Sequence, residues 1–154
     1  MGELTIEGLK LTALREIADN RGGVLHMLRN DAIDFIGFGE CYFSEVQPGA
    51  VKAWKKHTRQ TQNISVPVGR LLFVIFDDRE DSPTRGKINT IQLGRPDAYY
   101  RIQIPKGLWY GFTCIGTIKA MLVNCTDIPH DPKESETLTI DNPPVAYDWT
   151  NFLK

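Results

Sequence analysis

The apolar residues of this chain fall into many short runs, which are separated by turns rich in Gly, Pro, Asn and Asp. Residues 100–104 alternate between apolar and polar side chains, which is typical of a strand buried on one face. Residues 71–76 are almost all apolar, which indicates a strand buried on both faces. No long segment has the period of an amphipathic helix. The pattern predicts an all-β protein, an antiparallel sandwich or barrel, with a jelly roll as one option.

The same pattern locates most of the individual elements. Strands are expected at 24–29, 35–43, 71–76, 88–93, 100–104, 109–115, 118–123 and 138–140. Residues 109–123 are expected to form a hairpin around Gly116. Residues 4–19 fit either a strand or a short helix, and further helix is expected only among the last residues. The charged segment 77–83 is interpreted as a solvated loop.

The stretch 49–69 stands out because it is apolar at both ends and carries cations and amides in its middle. If it is a strand, its side chains divide between two faces with a period of two. The two faces are Val51, Ala53, Lys55, His57 and Arg59, and Lys52, Trp54, Lys56, Thr58 and Gln60. Cations in line on one face repel one another, and an anionic ligand would relieve that repulsion. A solvated basic edge strand is the alternative, and Trp54 is expected to pack in the core or against a second subunit.

Composition narrows the class of protein. The 154 residues are expected to form one domain, residues 1–154. The net charge of −1 gives no indication of binding to nucleic acid or to a membrane surface. Three cysteines without C-x-x-C spacing are expected to be reduced, and the first residues lack the features of a signal peptide. No apolar stretch is long enough to span a bilayer, so we expect a cytoplasmic protein.

Several common catalytic and cofactor-binding motifs are absent from the sequence. It has no G-x-G-x-x-G, no P-loop and no G-x-S-x-G. Its His and Cys residues never cluster with the spacing of zinc ligands. A metal-binding cupin usually carries two His close together on one strand, whereas His57 stands alone in its stretch. We therefore expect neither a cofactor nor a metal.

Six segments, in order, resemble those of the dTDP-4-dehydrorhamnose 3,5-epimerase family. They are D-x-R-G at 19–22, G-A-V-K-A-W-K-K-H at 49–57, D-D-R-E-D-S-P-T-R-G-K at 77–87, I-P-K-G-L-W-Y-G-F at 104–112, D-I-P-H-D-P-K-E-S-E at 127–136 and I-D-N-P-P-V-A-Y-D-W at 140–149. The resemblance covers roughly residues 15–149. It implies an RmlC-like cupin, a jelly-roll homodimer that acts on a nucleotide-linked 4-keto-6-deoxy sugar, commonly in polysaccharide biosynthesis.

The resemblance also implies roles for particular residues. Arg21 matches an arginine that reaches nucleotide phosphate, often in the partner subunit. In the family's strand motif, roughly G-V-x-R-G-x-H, the arginine falls on Lys52 and the catalytic histidine falls on Lys55. His57 lies two residues later, and both Lys55 and His57 are candidate bases. His57 titrates near neutrality without any shift, whereas Lys55 would need a large depression of its pKa.

The other catalytic positions depart from the family's pattern. The histidine of A-H-G-F falls on Tyr110. The family's catalytic tyrosine falls at 128–129, where His130 is the nearest proton carrier, so Tyr110 and His130 are the candidates for a second carrier. The aspartate that orients the base matches Asp141. The expected substrate contacts are Arg21, Lys52 and Arg59 with the diphosphate. Gln60 and Gln62 are candidate ligands of sugar hydroxyls, with continuation of the strand ladder as the alternative.

Two functions follow from the resemblance. The first is an epimerase or isomerase of a nucleotide-linked 4-keto sugar, which removes a proton next to the ketone and returns it on the opposite face. A 3,5-epimerase, a 3-epimerase and a ketoisomerase all stay open. The alternative is a cupin that binds a nucleotide sugar without turning it over. A structural protein without a ligand ranks last, because it leaves the aligned cations unexplained.

Overall fold

Two antiparallel five-stranded sheets, packed face to face, form the body of the protein. The computed structural model describes residues 3–152. The strands are β1 Lys10–Ala13, β2 Glu16–Asp19, β3 Gly22–Leu25, β4 Glu40–Val46, β5 Val51–His57, β6 Gln62–Val68, β7 Arg70–Asp77, β8 Ile88–Gly94, β9 Tyr100–Ile104, β10 Leu108–Cys114, β11 Ala120–Thr126 and β12 Ser135–Thr137. Two short 3₁₀ helices cover Pro132–Glu134 and Trp149–Phe152. Within the described residues, no helix is long and apolar enough to cross a membrane.

Successive strands mostly alternate between the two sheets. Sheet I has the order β1-β9-β6-β11-β4, and sheet II has the order β12-β5-β10-β7-β8. Strands β2 and β3 form a separate two-stranded hairpin, with Arg21 in its turn. All of these pairings are antiparallel. The expected all-β antiparallel sandwich is confirmed.

The main core lies between the sheets and is built from the inward-facing positions of their strands. On β7, Leu71, Phe73 and Ile75 are fully buried in it. A second cluster lies on the opposite face of β7. Its buried members are Trp54, Val74, Trp109 and Trp149. Strand β7 is therefore buried on both faces, as its sequence predicts, and Trp54 is a core residue.

The hairpin expected for residues 109–123 is wrong. Strand β10 pairs with β5 and β7 in sheet II, whereas β11 pairs with β4 and β6 in sheet I. Gly116 therefore lies in a connection between the sheets. The glycine at this position correctly indicates a turn. The two strands that flank the turn do not pair with each other, because each has a partner from elsewhere in the chain on both of its edges.

The stretch 49–69 is also not a single strand. It contains β5 in sheet II and β6 in sheet I, joined by residues 58–61. The backbone N–H groups of Arg59, Gln60 and Thr61 in this turn donate to carboxylates, the first two to Glu134 and that of Thr61 to Asp127 at 2.7 Å. These distant acceptors allow the chain to leave one sheet and enter the other. The strand expected at 138–140 is wrong, since β12 covers Ser135–Thr137, and the strand expected at 35–43 begins later, at Glu40.

The charged segment 77–83 is more than a solvated loop, because Asp77 at its start is fully buried. The Asp77 carboxylate accepts hydrogen bonds from Arg79, Ser82 and Thr84 at 2.6–2.9 Å. Burial opposes ionisation of Asp77, but these donors outweigh it and hold its pKa well below the usual range. The loop is thus organised around one buried carboxylate.

A β-bulge in β5 determines which side chains reach the space between the sheets. Tyr110 pairs with Lys55 and Phe112 pairs with Lys52, so Gly111 opposes two residues instead of one. The bulge breaks the period of two. The prediction that Lys52 and Lys55 lie on opposite faces is therefore wrong, because their register partners Phe112 and Tyr110 are two residues apart and lie on one face of β10.

Gly111 is the close-packed partner of the bulge, and we expect Gly111→Ala to destabilise the fold. A Cβ there would lie 2.5 Å from Ala53 Cβ and 3.1 Å from Trp149 Cη2. Overpacking of this kind costs about 1–3 kcal/mol of unfolding free energy, measurable by urea denaturation. Gly116→Ala is the matched control, because its Cβ would meet nothing closer than 3.8 Å. Equal stability of the two variants would contradict the close packing at the bulge.

Candidate active site

A cleft of about 340 Å³ opens between the two sheets beside β5. Its wall on sheet I consists of Tyr42, Ser44, Ile64, Leu122 and Asn124. Its wall on sheet II consists of Lys52, Ala53, Trp54, Lys55, Tyr110, Phe112 and Thr137. A concave site with apolar walls and a few polar groups is typical of small-molecule binding. Within residues 3–152, no cluster of three or more His, Cys, Asp or Glu side chains is placed to hold a metal ion.

The two lysines of β5 supply the positive charge of the cleft. The Lys52 ammonium donates to Ser44 Oγ at 3.0 Å and to the Glu45 carbonyl at 2.7 Å, which ties β5 to β4 across the mouth of the cleft. Lys55 is half-buried, and within residues 3–152 its ammonium forms no ion pair or hydrogen bond. An uncompensated ammonium in a partly apolar cleft favours an anionic ligand or a developing negative charge.

His57, at the end of β5, is held by a buried carboxylate. Its Nδ1 forms a hydrogen bond with Glu134 Oε1, and both residues are at most 5% exposed. The other oxygen of Glu134 accepts the backbone N–H groups of Arg59 and Gln60 at 3.1 and 3.2 Å. The carboxylate is therefore fixed on both sides, and it fixes the orientation of the imidazole ring.

Electrostatics keep this pair as a neutral imidazole and an ionised carboxylate. Burial lowers the pKa of His57 below its ordinary 6.5, and the charges of Lys55 and His130 lower it further against the opposing effect of Glu134. Burial would raise the pKa of Glu134, but hydrogen bonds from His57 and from the two backbone N–H groups lower it. Since the carboxylate accepts at Nδ1–H, the lone pair of the neutral ring is at Nε2.

Tyr110 connects this pair to the cleft. Its hydroxyl lies 3.3 Å from His57 Nε2, and its side chain lines the sheet II wall. Burial raises the pKa of Tyr110 well above its ordinary value, and the neighbouring Tyr42 and Glu134 add to this effect. The hydroxyl is therefore protonated at neutral pH and donates to His57. The order from the cleft inwards is Tyr110, His57 and Glu134.

Side-chain amides form a second buried network under the sheet I wall. Gln60 donates to the Ile128 carbonyl, Gln62 donates to Gln60, and Asn124 donates to Gln62, all at 2.7–2.8 Å. Asn124 also donates to the Tyr42 hydroxyl at 2.9 Å. Because the amides of Gln60 and Gln62 are buried and bonded to one another, they support the wall, and the prediction that they contact sugar hydroxyls is not supported.

The prediction that Asp141 orients the base is wrong. Asp141 is exposed in a turn, and Glu134 forms the hydrogen bond to His57 instead. The register of β12 on β5 places Ser135 opposite His57 and so brings Glu134 next to the ring. In the sequence, nothing distinguishes Glu134 from the neighbouring acidic residues, because its role depends on this strand pairing.

The remaining predicted site residues lie outside the cleft walls. Arg21 is exposed at the tip of the β2–β3 hairpin and pairs with Asp19 at 2.6 Å. Arg59 pairs with Asp131 at 2.9 Å. His130 is exposed and acts on His57 through its charge. Tyr42, Asn124 and Glu134 were not anticipated, because neither spacing nor the family pattern marks them.

Comparison with known proteins gives a consistent result. The sequence matches the family described as dTDP-4-dehydrorhamnose 3,5-epimerase over residues 3–154. A probable low-salt glycan biosynthesis epimerase of Haloferax volcanii is 33% identical over 94% of this chain and 94% of its own length. The crystal structure of a dTDP sugar isomerase from Desulfovibrio desulfuricans G20 superposes with a TM-score of 0.92, at 49% identity over 95% of this chain and 93% of that one.

A more distant structure supports the fold. The rmlC epimerase of Mycobacterium tuberculosis is 20% identical and superposes with a TM-score of 0.84 over 96% of this chain and 77% of that one. This likeness confirms the RmlC-like cupin jelly roll that the sequence implies. With the family match over nearly the whole length, the chain belongs to the dTDP-4-dehydrorhamnose 3,5-epimerase family.

Proposed function

We propose that this protein is an epimerase or isomerase, independent of any cofactor, that moves protons next to the keto group of a nucleotide-linked sugar. The expected substrate class is a dTDP-linked 4-keto-6-deoxy sugar, by similarity to the sugar isomerase and the epimerases described above. The observation that carries the proposal is the buried imidazole of His57, which Glu134 orients and Tyr110 joins to the cleft. An inactive binding protein would have no need of this arrangement.

In the proposed reaction, Tyr110 and His57 remove the proton together. The C–H bond next to the ketone breaks as the proton passes to the Tyr110 oxygen, while the proton of Tyr110 passes to His57 Nε2. The electron pair of the C–H bond moves into the sugar as an enolate. The imidazolium that forms is stabilised by Glu134 at Nδ1. Glu134 acts through His57 and is a positioning residue.

The lysines of β5 suit the charges of such a substrate. Lys55 pairs with Tyr110 across β5 and β10, so its ammonium lies on the wall where the enolate oxygen would form. Lys52, at the mouth of the cleft, is a candidate ligand for the diphosphate. Arg59 and Arg21 remain predicted phosphate ligands, with Arg21 expected to act on the cleft of a second subunit.

We expect Glu134→Gln to lower turnover about 10²–10⁴-fold, because a neutral amide does not stabilise the imidazolium of His57. The measurement is deuterium entry at C3 and C5 of dTDP-4-keto-6-deoxyglucose in heavy water, followed by NMR. Asp141→Asn is the matched control, and with this variant deuterium is expected to enter the sugar at the wild-type rate. Loss of exchange in Asp141→Asn with retention in Glu134→Gln would contradict the assignment.

The wild-type protein in the same assay tests the substrate class. Exchange at both carbons indicates a 3,5-epimerase, and exchange at C3 alone indicates a 3-epimerase or a ketoisomerase. The absence of both exchange and binding would refute the proposal for this sugar.

We expect the acid limb of kcat/KM to lie below pH 6.5. The neutral form of His57 is the active one, so activity falls as pH drops through a pKa that burial lowers. Replacing Lys55 by Met removes a charge that lowers this pKa, so the limb should move to higher pH as well as to lower rates. A wild-type limb above pH 6.5, or one that does not move in Lys55→Met, would contradict the role of His57.

We also propose that the protein is a homodimer, in keeping with the sequence-based expectation. The β2–β3 hairpin carries Ile17 and Val24 as direct cross-strand neighbours, and they are 46% and 61% exposed. An exposed apolar pair beside Arg21 fits a surface that a second subunit covers. The cytoplasmic location expected from the sequence stays a prediction.

Val24→Lys should therefore shift the protein from dimer to monomer in light scattering after size-exclusion chromatography. A lysine in an apolar interface leaves a desolvated, unpaired charge. Ile118→Lys, at an exposed apolar position in the β10–β11 connection, is the matched control and should stay dimeric. A monomeric wild type, or a dimeric Val24→Lys, would overturn the proposed interface.

A further inference from the structure

We infer that Tyr42 is the second proton carrier of the reaction, which donates a proton to the face of the sugar opposite Tyr110. This inference rests on the proposed function. Epimerisation requires a proton to leave one face of the carbon and another to arrive on the opposite face, so two carriers are needed on facing walls. The sequence offered only Tyr110 and His130 for this role, and His130 is exposed outside the cleft.

Tyr42 lies on the wall that faces Tyr110. It belongs to β4 of sheet I, whereas Tyr110 belongs to β10 of sheet II, and both side chains line the cleft. The two rings are close enough for Tyr42 to raise the pKa of Tyr110. A sugar ring between the sheets would therefore present one face to each hydroxyl.

The hydrogen bonds of Tyr42 orient its proton towards the cleft. Asn63 N–H donates to Asn124 Oδ1 at 3.2 Å, so the amide nitrogen of Asn124 must face Tyr42. That nitrogen donates to the Tyr42 oxygen, which is therefore an acceptor in the wall. Within residues 3–152, no side chain accepts the hydroxyl proton of Tyr42 in return. The proton is thus left for a group in the cleft.

The amide network makes this orientation rigid. Asn124 is the direct cross-strand partner of Tyr42, and its second amide hydrogen is taken by Gln62. Gln62 donates in turn to the Gln60 side chain, and Gln60 donates to the backbone carbonyl of Ile128. Each of these three side-chain amides donates a hydrogen bond to the next member of the series, so the direction of every hydrogen bond is fixed. Asn124 and Gln62 are therefore positioning residues for the Tyr42 hydroxyl.

Tyr42 is in the protonated state that a donor needs. Burial raises its pKa, the charge of Glu40 raises it further, and the hydrogen bond from Asn124 opposes both. When the enolate carbon takes the proton, the O–H bond of Tyr42 breaks and a C–H bond forms on the sugar. The phenolate that remains is stabilised by Asn124. Since Tyr42 is 41% exposed, water can restore its proton.

The other polar groups of the cleft do not fit this role. Lys55 lies on the same wall as Tyr110, as its direct strand partner. Ser44 is on the correct wall, but its aliphatic hydroxyl is a much weaker acid than the phenol of Tyr42. Thr137 lies on β12 of sheet II. Tyr42 is therefore the strongest acid among the polar side chains of the sheet I wall.

The test is Tyr42→Phe with dTDP-4-keto-6-deoxyglucose in heavy water. Removal of the substrate proton depends on Tyr110 and His57, so deuterium should still enter the recovered substrate at close to the wild-type rate. Formation of the inverted product should fall about 10²–10⁴-fold, because the donor for the opposite face is gone. Tyr100→Phe, on β9 away from the cleft, is the matched control and should keep both rates.

Two results with Tyr42→Phe would overturn the inference: inversion at the wild-type rate, or loss of exchange and inversion together. A measurement on the wild-type protein provides a check that no substitution affects. In a single turnover in heavy water, two carriers give an inverted product that carries deuterium, whereas product that keeps the substrate hydrogen would mean a single carrier. If the wild type neither exchanges nor inverts the sugar, the proposed function itself fails.

Discussion

The buried hydrogen bond between His57 and Glu134 is the interaction on which the site depends. It joins the end of β5 to the segment that precedes β12, and it is reinforced by the Thr58 N–H and hydroxyl, which both donate to the Glu134 carbonyl. The same contact thus attaches the edge strand of sheet II and sets the orientation of the imidazole. Burial favours the neutral ring, and the carboxylate favours the ring that carries its proton at Nδ1. Structure and chemistry therefore depend on a single pair.

The sandwich architecture divides the chemistry between two walls. Sheet II supplies Tyr110, Lys55 and the buried pair behind them, and sheet I supplies Tyr42 on its amide support. In the proposed reaction, a sugar ring bound between the sheets has one proton carrier on each of its faces. The β5 bulge adds to this arrangement, because it places Lys52 and Lys55 on the same wall. The fold thus places two tyrosine hydroxyls and two lysine ammonium groups around one small cleft.

Much of the fold could be predicted from the sequence, because strand identity depends on local periodicity. The run at 71–76 and the alternation at 100–104 both form the strands that their patterns indicate. The sheet partners could not be predicted in this way. The separation of β10 from β11, and of β5 from β6, depends on pairing between residues far apart in the chain. The bulge in β5, opposite Gly111, likewise becomes visible only in the register between β5 and β10.

The candidate site could also be predicted only in part, because some of its residues are far apart in the sequence. His57, Lys55, Lys52 and Tyr110 were identified because they belong to one conspicuous stretch or to a family motif. Glu134 was missed because it reaches His57 through strand register, and Asp141 was chosen because the family pattern points to it. The resemblance therefore pointed to several residues that lie in or beside the candidate cleft, whereas the carboxylate that holds His57 could be recognised only from the geometry.

The protonation state of the His57 ring decides whether this residue can accept a proton through Nε2. Side-chain ¹⁵N chemical shifts of the imidazole at neutral pH report which nitrogen carries a proton. We expect a neutral ring that is protonated at Nδ1 and unprotonated at Nε2, and we expect the proton at Nδ1 to be lost from this position in Glu134→Ala. A ring protonated at both nitrogens, or a neutral ring protonated at Nε2, would rule out the proposed role of His57.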